Sequence, residues 1–452
     1  MRWRKLGLVV GLVTVAAVVI GAASAANPTS SRSSTIPVLP DSSLNPMTTT
    51  IGGATPQPTT RTVAHWYGTT LNPDNGVTYG YNMVGSDPNT CSGSGCSTTI
   101  TADITPINVV VAGQTFSGEQ VVGPTLASPV FTTNDYGSTP AATAAGSCGT
   151  QTTGSCPNPV EGQGGTLSQG DAGVPLQLED ATMRAQFDKT GTSSYHLILH
   201  PVVHPAVTIV VPGNKGYILQ SGRGVLFADV NIEWWATRIQ NLNTALSYND
   251  PTHLAIYLTQ DVVNFIGPNN PGNCCVIGFH GAGEVPGNNA GSINGQGNQA
   301  IQTYAWASYT TPGFFARPNG GRDWALQDIH ALSHEISEWA DDPFINNYVE
   351  PWLTPTAPQY GCTNILETGD PVVAIGFAMG TNTYDQGPNP NGTQSADGYY
   401  HPEDEVFLPW FMRTAPNTIS EPTQSPSTNG GRYTFMGDLN PYPGFRQPAT
   451  GC

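Results

Sequence analysis

The chain has 452 residues, with 15 lysines and arginines against 32 aspartates and glutamates, and a formal net charge of -17 at pH 7. This balance argues against nucleic-acid binding, because neutralising phosphate groups needs clustered lysine and arginine. Only 10% of the residues are charged, against roughly 25% in an average protein, and 52 glycines and 39 prolines indicate a loop-rich, acidic protein with a largely uncharged surface.

The first 25 residues have the order of a cleaved secretory signal peptide. Met-Arg-Trp-Arg-Lys precedes an apolar run over residues 6–20, and Ala23-Ser24-Ala25 forms a small-residue cleavage site. A retained anchor is the alternative, but the apolar run is shorter than the roughly 20 residues that a membrane span needs. We therefore predict a secreted, extracellular protein that has no membrane association after cleavage.

Two segments of different character follow the signal peptide. Residues 26–60 are rich in serine, threonine and proline and have few large apolar side chains, so we expect a disordered linker. Residues 61–175 contain short β-prone runs, such as residues 77–84 and 100–111, between turn-forming residues. The sequence therefore predicts a β-rich N-terminal region over residues 61–175.

Helical and strand-like patterns alternate after residue 175. The apolar spacing predicts helices over residues 176–187, 230–246 and 324–340, and strands over residues 195–211 and 253–262. This alternation favours an α+β domain over residues 176–452. The fold class that we expect for the whole chain is therefore α+β.

Eight cysteines in a secreted chain favour disulfide bonds. Local pairs are expected between Cys91 and Cys96 and between Cys148 and Cys156, which are close in sequence. The remaining cysteines would pair among themselves, and adjacent Cys274 and Cys275 are expected to take separate partners, which would tie the C-terminus to the core. This set is Cys274, Cys275, Cys362 and Cys452.

The helix predicted over residues 324–340 carries an H-E-x-x-E pattern formed by His334, Glu335 and Glu338. His334 and Glu338 are four residues apart, so they can hold one ion between adjacent turns. Glu335 occupies the place where the related H-E-x-x-H motif has its general base. The alternative to a metal site is a helix with a solvent-exposed acidic face. However, the apolar residues around the motif predict a buried helix, in which unpaired carboxylates would be costly.

A catalytic zinc site needs a third protein ligand. The best candidates are Glu367 and Asp370, which follow the motif at a distance that lets a second element fold back onto the helix. Asp342 and His330 are rivals, although His330 would add a ligand on a third turn of one straight helix. We expect Zn²⁺ as the cofactor.

Two further histidines are candidates for functional roles. His280 comes at the end of a predicted strand and before a glycine-rich loop, where it could polarise a substrate. His401 precedes Glu403, Asp404 and Glu405, and these acids form either a surface cluster or a calcium site. Ca²⁺ is therefore the alternative cofactor.

Three blocks between residues 253 and 344 resemble the EXORDIUM, or phosphate-induced, protein family and its secreted bacterial relatives. They are Ile-Tyr-Leu-Thr-Gln-Asp-Val at residues 256–262, a cysteine followed by Gly-Phe-His-Gly at residues 278–281, and Ser-His-Glu-Ile-Ser-Glu with a later Asp-Pro-Phe at residues 333–344. The resemblance implies a secreted protein with a zincin-like helix, but it implies no established reaction. Pro371 stands where the family tends to have a cysteine.

These residues predict a secreted, zinc-dependent hydrolase of the metallopeptidase type. In this hypothesis Glu335 is the general base for a metal-bound water, His280 assists catalysis, and the substrate is a peptide or a cell-wall or other extracellular polymer. The alternative is a non-catalytic extracellular or cell-surface binding protein with a structural ion or a degenerate active site. The sequence leaves the oligomeric state open.

Overall fold

Two mixed β-sheets form the centre of the fold in the computed structural model of the chain. The structure describes residues 36, 44–47, 52–56, 60–136, 147–148, 174–189, 193–222, 224–285, 300–315, 327–354, 362–373, 375–376, 379–384, 399–414 and 433–435. The predicted signal peptide lies outside these residues. No helix within them is both long enough and apolar enough to span a membrane.

The helices of the described residues are α1 Val122–Leu126, α2 Leu178–Gln186, α3 Ile232–Ala245, α4 His330–Asp341 and α5 Leu408–Phe411. The first strands in chain order are β1 Leu44–Met47, β2 His65–Leu71, β3 Thr78–Val84, β4 Ser97–Val111, β5 Gln114–Ser117, β6 Asn134–Asp135, β7 Ser147–Cys148, β8 Pro175–Leu176, β9 His196–Val203 and β10 Val207–Val210. The later strands are β11 Gly216–Gln220, β12 Leu226–Asn231, β13 Leu254–Gln260, β14 Val262–Phe265, β15 Cys274–Val276, β16 Gly278–Val285, β17 Ala300–Tyr309, β18 Tyr348–Leu353, β19 Cys362–Ile365 and β20 Ile375–Gly376.

The larger sheet has seven strands, and β4, β13, β17 and β16 follow one another across it. Strand β4 pairs in parallel with β9, β10 and β13, and β13 pairs in parallel with β17, while β16 closes the order in antiparallel. All ten residues of β17 are buried. Such continuous burial is typical of a strand that is covered on both faces.

Alternate residues of the central strands enter two different hydrophobic cores. Ile256 and Leu258 of β13 belong to the core that includes Trp339 of α4. Tyr257, between them, belongs to the core that includes Trp235 of α3. Since side chains alternate across a strand, α4 covers one face of the large sheet and α3 covers the other. We call these the α4 face and the α3 face.

The smaller sheet has the order β1-β15-β14-β12-β11. Strand β1 lies inside the segment that composition predicts as a disordered linker, and it pairs in parallel with β15. Nearby, the backbone N–H of Ala54 donates to the carbonyl oxygen of Phe344 at 3.0 Å. Backbone pairing therefore connects these parts of the predicted linker to β15 and to the segment that follows α4.

The two regions predicted over residues 61–175 and 176–452 share one folded unit. Residues 36–452 form a single compact unit, and β4 from the predicted N-terminal region lies beside β13 of the predicted α+β region. The α+β class is confirmed, since helices pack on mixed sheets. The structure places no domain boundary at residues 175 and 176.

The disulfide prediction is confirmed in one case and wrong in another. Cys91 and Cys96 are bonded, as expected from their spacing. Cys274 and Cys275 are bonded to each other rather than to separate partners. Both are buried in β15, whereas Cys362, which is also disulfide-bonded, is exposed at the start of β19. The predicted partner Cys156 lies outside the described residues.

Candidate metal centre

Helix α4 brings the H-E-x-x-E motif into the interior of the protein. All twelve of its residues are buried, which confirms the predicted buried helix. The helix packs against β16 and β17 on the α4 face of the large sheet. Strand alternation places His280 of β16 on the same face as Ala282, which belongs to the core beneath α4. The polar side of α4 therefore meets a histidine from the sheet.

Three side chains form what we call the outer group: His334, Glu338 and Asp370. His334 Nε2 lies 3.0 Å from Glu338 Oε1 and 3.8 Å from Asp370 Oδ1. One ligand atom of each residue lies within 4.8 Å of the other two. The backbone N–H of Asp370 also donates to Glu338 Oε1 at 3.2 Å. The structure therefore brings Asp370, one of the two predicted third ligands, to His334 and Glu338.

A second set of three side chains, the inner group, consists of His280, Glu335 and Glu338. His280 Nδ1 lies 3.4 Å from Glu335 Oε2 and 3.4 Å from Glu338 Oε2. Metal–ligand bonds of about 2.1 Å at tetrahedral angles separate neighbouring ligand atoms by about 3.4 Å. The spacing in the inner group therefore matches the spacing around a four-coordinate ion.

Several of these polar atoms lack the hydrogen bonds that buried groups normally make. Both ring nitrogens of His280 and His334 and both carboxylate oxygens of Glu335 have no hydrogen-bond partner of acceptable geometry within the described residues. Their side chains are 1% exposed. Metal coordination is one of the few interactions that compensates such burial.

The other predicted third ligand, Glu367, lies beside the centre but belongs to neither group. It is 3% exposed, and its carboxylate oxygens have no hydrogen-bond partner within the described residues. Burial, together with the nearby charges of Glu338 and Asp370, raises the pKa of Glu367 well above its usual range. Glu367 therefore adds negative charge to the surroundings of the centre.

Electrostatics within the centre favour positive charge close to Glu338. Burial acts to lower the pKa of His280, but the carboxylates of Glu335 and Glu338 outweigh it and raise this pKa to about 10. Burial likewise opposes the charged form of His334, but Glu338 and Glu403 raise its pKa well above the usual value. Burial raises the pKa of Glu335 to about 7. The carboxylates thus attract cations, either protons on the histidines or a metal ion.

Glu403 is a site residue that the sequence analysis did not identify. Its Oε2 atom lies 3.0 Å from His334 Nδ1 and 2.6 Å from His330 Nε2. Its backbone N–H donates to Ser333 Oγ at 2.9 Å. A carboxylate on the second ring nitrogen of a ligating histidine orients that histidine and fixes its tautomer. Glu403 contacts His334 Nδ1 as an ion pair rather than through a hydrogen bond of acceptable geometry, and from there it is placed to position the ring.

Burial and contacts show where residues 403–405 and the rival ligands lie. Glu403, Asp404 and Glu405 are 0–3% exposed, so these acids do not form a surface cluster. His330 faces Glu403 rather than the two ligand groups. The carboxylate of Asp342 accepts backbone N–H groups of Asn346 and Asn347 at 3.0 and 3.1 Å. The carboxylate of Asp342 therefore binds the backbone that follows the end of α4.

Two glycines allow the elements to approach the centre closely. A Cβ atom added at Gly369 would lie 2.6 Å from Cε1 of His334, and one added at Gly278 would lie 2.8 Å from Cγ of Glu335. Real Cβ atoms essentially never come within 3.0 Å of another heavy atom. The strand of His280 and the loop of Asp370 therefore reach α4 only because glycine precedes each ligand.

Of the four tryptophans on α3, β18 and α5, three lie in the core. Trp235, Trp352 and Trp410 are fully buried. Trp234 is partly buried and lies beneath the guanidinium of Arg238, 5.2 Å from the ring centroid. Core packing, the commoner use of such residues, therefore accounts for three of the four.

Comparison of the chain with protein-family models, with curated proteins and with solved structures gives no match. The resemblance seen in the three sequence blocks therefore stays a prediction. In the structure, these blocks contribute β13, β16 and α4: β13 and β16 lie on the two sides of β17, and α4 packs on β16 and β17. The geometry of the two ligand groups is the basis for any statement on function.

Proposed function

We propose that this chain is a secreted, metal-dependent hydrolase whose outer group holds a zinc ion. The observation that carries the proposal is the convergence of His334, Glu338 and Asp370 from two separate segments, each with a ligand atom within 4.8 Å of the others. Three protein ligands with one position left open are typical of a catalytic zinc site. When bound, zinc supplies Lewis acidity and lowers the pKa of water.

The chemistry of the ligands favours zinc over calcium. The outer group offers one imidazole nitrogen and two carboxylates, a combination that zinc accepts readily. Calcium takes 6–8 oxygen ligands, and a histidine at the centre of the group does not suit it. The same argument applies to the inner group, which also contains one histidine and two carboxylates.

The outer group also has the better access to solvent. The side chain of Asp370 is 28% exposed, whereas those of His334 and Glu338 are 1% and 3% exposed. A substrate would therefore approach from the side of Asp370. We propose a peptide or another extracellular polymer as the substrate class, in line with the predicted secretion of the chain.

Hydrolysis by the chelator-treated protein tests the proposal. A peptide library analysed by mass spectrometry should remain intact with the metal-free protein and be cleaved after addition of zinc. Asp370→Asn should lose zinc-dependent cleavage, because the amide is a weaker ligand, while Asp74→Asn, at an exposed aspartate, should retain it. Cleavage that persists without metal, or an active Asp370→Asn protein, would refute the assignment.

Deep burial is the specific observation that favours a second candidate, a non-catalytic protein with a structural ion. His280 and Glu335 are 0% exposed, so an ion between them would have little contact with solvent. Relaxation of water protons by the manganese-loaded protein distinguishes the candidates. A catalytic site should enhance relaxation through an exchanging water ligand, whereas a closed structural site should give no enhancement.

A further inference from the structure

We propose that the centre holds two divalent cations, one in the inner group and one in the outer group, with Glu338 bridging them. The inference rests on the metal site of the proposed function and adds a second ion to it. The two groups that satisfy the geometry for metal binding among the described residues have Glu338 in common and differ in their other members.

Each carboxylate oxygen of Glu338 faces a different histidine. Glu338 Oε1 lies 3.0 Å from His334 Nε2, and Oε2 lies 3.4 Å from His280 Nδ1. A carboxylate in this position can donate one oxygen to each of two ions. Two-metal hydrolases hold their ions about 3.5–4 Å apart, a separation that a bridging carboxylate spans.

The inner group needs an ion of its own. His280 and Glu335 are 0% exposed, and both polar atoms of each side chain lack a hydrogen-bond partner within the described residues. An ion confined to the outer group would leave His280 and Glu335 with their 3.4 Å ion pair and without a hydrogen bond of acceptable geometry, at a cost typical of buried polar groups that lack hydrogen bonds. An ion in the inner group coordinates both of them.

The second ion changes the role of Glu335. The sequence analysis predicts that Glu335 acts as a general base. As a ligand of the inner ion, Glu335 would instead bind the metal through its carboxylate. The two roles predict different metal contents for Glu335→Gln. A base can be replaced without loss of metal, but replacement of a ligand should lower the content from about two ions per chain to about one.

Metal content and spin coupling of the full-length protein test the proposal. After chelator treatment and reloading with Mn²⁺, the protein should bind about two ions per chain. Its electron paramagnetic resonance spectrum should show an exchange-coupled pair rather than the hyperfine lines of isolated Mn²⁺. One ion per chain, or two ions without coupling, would overturn the proposal, and neither measurement depends on the folding of a variant.

Variants then assign the ions to the two groups. His280→Ala and Glu335→Gln should each retain about one ion and show the isolated-ion spectrum, and Glu338→Gln should abolish coupling. His204→Ala is the matched control, since His204 pairs with Asp103 at 2.8 Å outside the centre, and it should keep two coupled ions. A His280→Ala protein with two coupled ions would contradict the assignment.

The number of bound ions and the hydrolase activity are tested by separate measurements. Two coupled ions in a protein that cleaves no peptide would support the two-ion centre and refute the hydrolase. Zinc-dependent cleavage by a protein with one ion per chain would do the opposite.

Discussion

At the scale of single residues, the centre depends on the absence of a side chain at Gly369. Any Cβ at this position would overlap the imidazole of His334. The overlap involves a ring that is held on its other side by Glu403 and is 1% exposed, so the ring has little room to move. Glycine is needed here because the segment approaches His334 closely, not because the backbone needs the conformational freedom of glycine.

We therefore expect Gly369→Ala to weaken metal binding to the outer group by at least about tenfold, a loss comparable to that caused by disturbing a residue that orients a ligand. Titration of the metal-free protein with zinc, followed by calorimetry, measures the effect. Gly283→Ala is the matched control, because a Cβ there would meet nothing within 4 Å. Equal affinities of the two variants would show that His334 is not displaced.

A second residue-scale feature lies outside the centre, at Asp229 in β12. Burial raises the pKa of this carboxyl well above the usual range of aspartate. Both of its oxygens lack a hydrogen-bond partner within the described residues, and its neighbours in register are Tyr217 and Val263. Asp229 is therefore protonated in the folded protein over a pH range in which the unfolded chain ionises it.

This difference predicts the pH dependence of stability. The raised folded-state pKa stabilises the protein below about pH 4, where aspartate is also protonated in the unfolded chain. As pH rises from there towards the folded-state pKa, this contribution is lost, at up to about 1.4 kcal/mol per pH unit. Asp229→Asn should make the decline shallower.

Urea unfolding between pH 4.5 and 7 measures the decline in the free energy of unfolding. Glu233→Gln is the control, because Glu233 is an exposed carboxylate and its replacement should leave the slope unchanged. Parallel curves for the wild type and Asp229→Asn would contradict the interpretation.

At the scale of elements, the centre is an assembly of α4, β16 and two segments that follow them in sequence. The segment with Asp370 approaches His334 at Nε2, and the segment with Glu403 contacts the same ring at Nδ1. This second segment is tied to the start of α4, where Asp328 Oδ2 lies 2.6 Å from His401 Nδ1. The support of His334 is thus built from parts distant in sequence.

We expect Glu403→Gln to lower zinc affinity of the outer group about 10- to 100-fold, because the amide holds the imidazole less firmly and makes its other nitrogen less basic. The inner ion should be retained, since Glu403 contacts neither His280 nor Glu335 in the ion pairs described. Zinc titration of the variant measures both affinities. A uniform loss of both ions would point to general unfolding instead.

The sequence predicted those parts of the centre that depend on local spacing. The period of the apolar residues predicted α4, and the position of Glu367 and Asp370 after the motif predicted that this segment returns to the helix. The role of Glu403 was not predictable, because it depends on the path of a segment about 70 residues later that has no regular pattern. The inner group was missed for a related reason: only the pairing of β16 with β17 shows that His280 points toward α4.

At the scale of the whole molecule, the centre joins the large sheet to elements from the C-terminal part of the chain. His280 comes from the sheet, and Asp370 and Glu403 come from segments beyond α4. An ion in the inner group would link the sheet to α4, and an ion in the outer group would link α4 to the segment of Asp370. Binding to the folded state alone stabilises that state by mass action.

Removal of metal should therefore lower the thermal stability of the protein. Free zinc at 100 times its dissociation constant stabilises a one-site protein by about 2.7 kcal/mol. Differential scanning calorimetry at pH 7 with and without chelator should show a drop in Tm for the wild type. His334→Ala, which can hold only the inner ion, should show a smaller drop with chelator than the wild type, and an unchanged wild-type Tm would argue against a bound ion.

The long strand β4 has a consequence for the order of events during synthesis. Its fifteen residues find their parallel partners only in β9, β10 and β13, of which β13 begins 143 residues after Val111, counting from 111 to 254. At about 5–20 residues per second, the ribosome needs roughly 7 to 29 s to cover that distance. Throughout this interval the edge of β4 that later pairs with β13 is open to other chains, so a nascent chain would benefit from a chaperone at this stage.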